Sequence, residues 1–104
     1  MAMTVIVTRA LPDRFRGFLA SCMCEVAPGV FTSPHMNERV RGQVWSVLDE
    51  WFGHVDEGSV VMTWPSKREP GGLGLRTLGV PPREVVEYDG MVLVRRAPRE
   101  SEET

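Results

Sequence analysis

The stretch Met3-Thr4-Val5-Ile6-Val7-Thr8 sets the plan of the chain. Its side chains alternate, with Met3, Val5 and Val7 on one side and Thr4, Ile6 and Thr8 on the other. Alternation in a run rich in β-branched residues predicts a β-strand. A strand with apolar residues on both sides must bury both. We assign Met3, Val5 and Val7 to the side covered by helices. Ile6 then falls on the opposite sheet face, with either Val61 or the pair Val60 and Trp64.

Working outward, Leu11-Pro12-Asp13 opens a helix, with proline early and a carboxylate in the first turn. Phe15, Leu19, Cys22, Met23 and Val26 form its apolar stripe. Gly17 inside this helix costs roughly 1 kcal/mol against alanine, which a close backbone approach would justify. Pro28-Gly29 is a break, and Val30-Phe31-Thr32 is a short strand preceded by a stub at 25–27. Ser33-Pro34 has the signature of a helix start, serine as N-cap and proline at the first position. Met36, Val40, Val44, Val47, Leu48 and Trp51 form the second stripe, and Gly53 ends it. Residues 59–64 (SVVMTW) are a strand closed by Pro65, and 66–72 a polar connection. Residues 73–78 (LGLRTL) are a further strand, weakened by Gly74. Residues 85–88 and 91–94 flank Asp89-Gly90, a strong hairpin signal.

This order predicts an α+β ferredoxin-like sandwich, two helices on one face of a four-stranded antiparallel sheet, with an added C-terminal β-hairpin. The core is expected over 1–84, the hairpin over 85–96 and a disordered acidic tail over 97–104. An open apolar sheet face is covered most simply by a second copy of the chain, in a sheet-to-sheet homodimer.

With 42% hydrophobic and 25% charged residues, the composition is that of a globular domain rather than a disordered chain. The net charge of −2 comes from the tail, where Arg99 faces Glu100, Glu102 and Glu103; without it the chain is balanced. Phosphate binding must therefore come from a local cluster. Cys22 and Cys24 are too close for a CxxC motif and match no zinc spacing. They are read as reduced thiols, with Cys22 in the core. The absence of a signal-peptide pattern and of any apolar run near ~18 residues points to a cytoplasmic protein without a membrane span.

Arg14 and Arg16 lie in the first turns of the first helix, where free N–H groups and the helix dipole favour anions and arginine adds bidentate, permanent charge. His35 and His54 have no second ligand at metal spacing and are read as surface residues. Trp45, Trp51 and Trp64 are read as core or interface rather than as base-stacking platforms.

Four segments in collinear order carry a family resemblance: MAMTVIVTRALPDRFRGFLA (1–20), EVAPGVF (25–31), ERVRGQVW (38–45) and GSVVMTW (58–64). Over about residues 1–95 the chain resembles the CRISPR-associated Cas two family of the I-E subtype, the spacer-acquisition partner of the Cas one integrase. The resemblance implies a dimer that bridges integrase dimers and holds a short double-stranded prespacer DNA for insertion into the CRISPR array. It implies that the C-terminal hairpin docks on the integrase, placing Val85, Val86, Tyr88, Met91 and Leu93 at that contact. Arg14, Arg16 and Arg39 match basic positions that touch the DNA backbone; Arg83 lies near a fourth, and Arg41 is a further candidate.

Related proteins carry a carboxylate near the end of the first strand, treated as a metal-binding nuclease residue. Arg9 stands here instead, and an arginine cannot hold a cation; it is a candidate phosphate contact. Asp13 is the nearest acid and suits the helix dipole. The expectation is a non-catalytic, duplex-binding subunit without a cofactor. The alternative is a metal-dependent endonuclease of the same family, which alone would need Mg2+.

Overall fold

A computed structural model describes residues 3–80, 83–88 and 91–96, with side-chain surroundings for 3–80. The elements are β1 (Thr4–Arg9), α1 (Asp13–Cys22), β2 (Cys24–Ala27), β3 (Val30–Ser33), α2 (Glu38–Phe52), β4 (Ser59–Pro65), β5 (Leu73–Leu78), β6 (Arg83–Tyr88) and β7 (Met91–Arg96), with a short turn of 3-10 helix at Pro70–Gly72. Two helices and an antiparallel sheet make the chain α+β, as expected. The sheet has five strands rather than four, in the order β2-β3-β1-β4-β5. The stub at 25–27 is a full edge strand, β2, whose register shifts between Glu25 and Ala27. That bulge removes the clean period-two pattern by which a strand is recognised. β6 and β7 pair separately, from Arg83 with Arg96 to Tyr88 with Met91. The expected tail, 97–104, lies outside the described residues.

The phase of β1 is the reverse of the sequence reading. Ile6 is fully buried on the helix side, in register with Phe31 of β3 and Met62 of β4. Val60 and Trp64 share that face, together with Phe15 and Leu19 of α1, Val44 and Leu48 of α2, and Met23 and Met36 from the helix flanks. The opposite face collects Val5 beside Thr32 and Thr63, and Val7 beside Val30 and Val61. Leu75 and Thr77 extend it along β5. Met3 is 51% and Val7 40% exposed. Thr4, also wholly buried on the helix side, has no partner for its hydroxyl among the described residues.

Local chemistry explains the remaining departures. α2 starts at Glu38 and not at Ser33-Pro34, because Asn37 is the cap: its Oδ1 accepts from the Val40 N–H at 2.8 Å. Pro34 disfavours helix at Ser33, and His35 stays in the exposed loop before the cap. α1 ends at Cys22, where Met23 turns to extended backbone. Cys22 is therefore exposed and not a core residue, Cys24 is exposed too, and Val26 faces solvent from β2. Gly17 has no close neighbour among the described residues, so no backbone approach there accounts for it. Gly74 does have a steric reason: a Cβ there would run into the Trp64 indole.

Candidate nucleic-acid interface

Five of the arginines singled out by sequence fall into two groups at opposite ends of α2; the sixth, Arg83, begins β6. Arg9, Arg14 and Arg16 belong to the junction where β1 ends and α1 begins. The chain reverses there through Ala10 in the left-handed region, φ 55°. Gly58 (φ 107°) lets the α2–β4 loop lie directly on the carbonyls of Arg9 and Ala10, which leaves no space for a side chain. Arg9 and Arg16 line a cleft of about 360 Å³ with Asp13, Glu25 and Gly29.

Arg14 is exposed, and its guanidinium carbon sits 4.9 Å from the Trp51 ring centroid and 5.8 Å from that of Phe15. Those two rings meet edge to face at 5.5 Å. The aromatic seat fixes the cation while leaving its N–H fork open. Neither Arg14 nor Arg9 forms an ion pair among the described residues; Arg16 does. Its Nε donates to Glu25 Oε1 at 2.9 Å, and the Gly29 N–H donates to Glu25 Oε2 at 3.2 Å. These contacts, the Gly29 N–H foremost and then Arg16, hold the Glu25 carboxyl below its ordinary pKa. Sequence reasoning missed Glu25 because the α1–β2 contact brings together residues nine apart, beyond helical spacing.

Arg39 and Arg41 lie in the first turns of α2, but residues two apart on a helix face different ways. Arg39 is exposed. Arg41 turns inward: its guanidinium carbon is 4.5 Å from the Trp64 ring centroid, and Nη1 donates to the Met36 carbonyl at 3.4 Å. Trp64 is only 8% exposed and is a core residue, while Trp45 and Trp51 pack against the core from its margin. Arg83 begins β6, and Val85, Val86, Tyr88, Met91 and Leu93 lie on β6 and β7, but their side chains are outside the described residues. Among the described residues no three histidines, cysteines or acids are grouped so as to hold a metal ion. No described helix is long and apolar enough to cross a membrane.

A protein-family model described as CRISPR-associated protein (Cas_Cas2CT1978) matches residues 3–93.

Proposed function

The chain belongs to this CRISPR-associated family, and from that premise we propose that it is a structural, duplex-DNA-binding dimer subunit of the spacer-acquisition complex in the cytoplasm, bridging dimers of the Cas one integrase. The observation that carries the reading is Arg14. It is an exposed guanidinium seated on Trp51 and Phe15, without a carboxylate partner among the described residues, at the start of a helix. Arg16 and Arg9 flank it, and the three together suit the phosphates of a duplex lying across the end of the sheet. Arg39, Arg41 and Arg83 are further backbone contacts on this reading.

The connectivity β1-α1-β2-β3-α2-β4, with β4, β1, β3 and β2 adjacent in that order, supports a ferredoxin-like protomer to which β5 is added. The open face with Val5, Val7, Val30, Val61 and Leu75 supports a second copy packed sheet to sheet. The β6–β7 pair is the element we assign to the integrase, through Val85, Val86, Tyr88, Met91 and Leu93.

The endonuclease alternative requires carboxylates free to hold Mg2+. Asp13 and Glu25 share the cleft, but Arg16 and Gly29 already engage both Glu25 oxygens, and Arg9 brings a positive charge.

The test is co-purification with a Cas one integrase of the same subtype, with and without a short DNA duplex, and mass determination by light scattering. The expected result is two copies of this chain with four integrase subunits, lost on truncation after Pro82, and duplex binding weakened by Arg14→Gln. Failure to bind integrase or duplex, with EDTA-sensitive cleavage of labelled nucleic acid in Mg2+, would replace this reading by the endonuclease.

A further inference from the structure

A second basic cleft lies at the other end of α2, apart from the Arg14 cluster and the open sheet face; of its lining residues, Arg41 alone enters the duplex reading above. It measures about 360 Å³ and runs between the start of α2 and the β4–β5 connection. Arg41, Lys67, Arg68 and Arg76 line it, against two acids, Glu38 and Glu69. Glu38 is already shared with Arg68, at 3.7 Å.

Arg76 is the unexpected member. It stands on β5 opposite Met62, on the face that also carries Gly74 and Leu78. At this edge of the sheet Arg76 stays exposed, and it lines the cleft. Its guanidinium carbon lies 5.8 Å from the Trp64 ring centroid, so two arginines, 41 and 76, converge on one indole. The ring seats both cations, but a quadrupole does not neutralise two full charges. Neither arginine has an ion-pair partner among the described residues. Burial, opposed by Glu38 and reinforced by Arg76, pulls the Arg41 pKa below its ordinary value. A part-buried guanidinium, Arg41, and an exposed one, Arg76, converging in one cleft are the arrangement that a tetrahedral dianion or a phosphodiester relieves. Trp64 is too buried to offer a face to a base, so recognition would be of charge and shape, not of sequence.

We propose that this cleft is a phosphate-binding site, with Arg41 and Arg76 as its ligating pair and Lys67 at its mouth. The phosphate comes either from a nucleic-acid backbone or from a free phosphate compound. Only the first source rests on the duplex reading above.

Two measurements separate the sources. Inorganic pyrophosphate is titrated while the Trp64 indole N–H resonance, assigned with Trp64→Phe, is followed by NMR. The salt dependence of binding to a short fluorescein-labelled duplex is measured by anisotropy, for wild type, Arg76→Gln, Arg41→Gln and the charge-retaining Arg76→Lys. For a backbone phosphate, Arg76→Gln and Arg41→Gln each lower the slope of log K against log salt by about 0.9 for every phosphate left without its cation, and Arg76→Lys restores most of it. For a free phosphate compound, pyrophosphate moves the Trp64 resonance in wild type and not in Arg76→Gln, while the duplex slope stays unchanged. An unmoved resonance together with unchanged slopes in folded variants overturns the site. If the wild type binds no duplex at all, the duplex reading fails and the pyrophosphate titration alone decides the cleft.

Discussion

The two faces of the five-stranded sheet are cut from the same strands, yet they obey opposite rules. The helix-covered face buries Ile6, Phe31, Val60 and Met62 completely, but it also swallows Thr4 with its hydroxyl unpartnered among the described residues. Along β1 the other face carries two valines, Val5 and Val7, where the helix face carries one apolar residue between two threonines, yet it is the one left part-exposed. Apolarity alone therefore does not say which side of a strand meets the helices. The flanking segments decide, because Phe31 and Met62 fall beside Ile6 in register.

That contrast can be broken by substitution. Ile6→Ala is expected to cost about 2–5 kcal/mol in denaturant unfolding, as for a buried core residue. Val7→Ala, one residue along, should cost about 0.5 kcal/mol or less in a lone chain. If Val7→Ala costs as much as Ile6→Ala, and the cost grows with protein concentration, the open face is covered in solution by a second copy. Thr4→Val should stabilise the fold by about 1 kcal/mol, since it removes at nearly constant shape a buried hydroxyl without a partner among the described residues; a loss of stability would mean the hydroxyl is satisfied. Gly17→Ala, on the side of α1 turned away from the sheet, should raise stability by about 0.5–1 kcal/mol, because none of the described residues stands where its Cβ would go.

The smallest effect belongs to the rim where the two faces meet. The Glu25 pKa is lowered in the folded chain. Its contribution is therefore present above the unfolded-state value near 4.5 and is lost as pH falls through the depressed folded value. Thermal melts of wild type and Glu25→Gln should differ slightly at neutral pH and converge on acidification. A difference that persists at acid pH would show that Glu25 acts through packing and not through charge.

Much of the α+β architecture is legible in the chain, because α1, α2, β1, β4 and β5 each carry a strong period or a clear stop. Three things are not. The phase of β1 is ambiguous, since Val5 and Val7 compete with Ile6 on equal chemical terms. β2 reads only as a stub, since four residues with a bulge carry no period. The start of α2 offers two caps, and Ser33-Pro34 imitates the signal that Asn37 actually provides. Of the candidate phosphate contacts, Arg14 and Arg16 are marked by their place in a first helical turn. Arg76 has no such mark, because the pattern of strand 73–78 does not fix which side faces inward. Once Trp64 is placed on that side, an arginine two residues after Gly74 is the available signal.

The strand order also bears on how the chain is made. β1 leaves the ribosome before its sheet partners but sits in the middle of the sheet, and its β4 partner begins at Ser59. About fifty residues separate Arg9 from Ser59, which at roughly 5–20 residues per second is several seconds of synthesis. During that interval β1 can pair only with β3, and a branched apolar strand stands with one open edge. A nascent chain in this state presents an unpaired apolar edge to wrong partners, and its yield in the cell should respond to translation speed over 34–58.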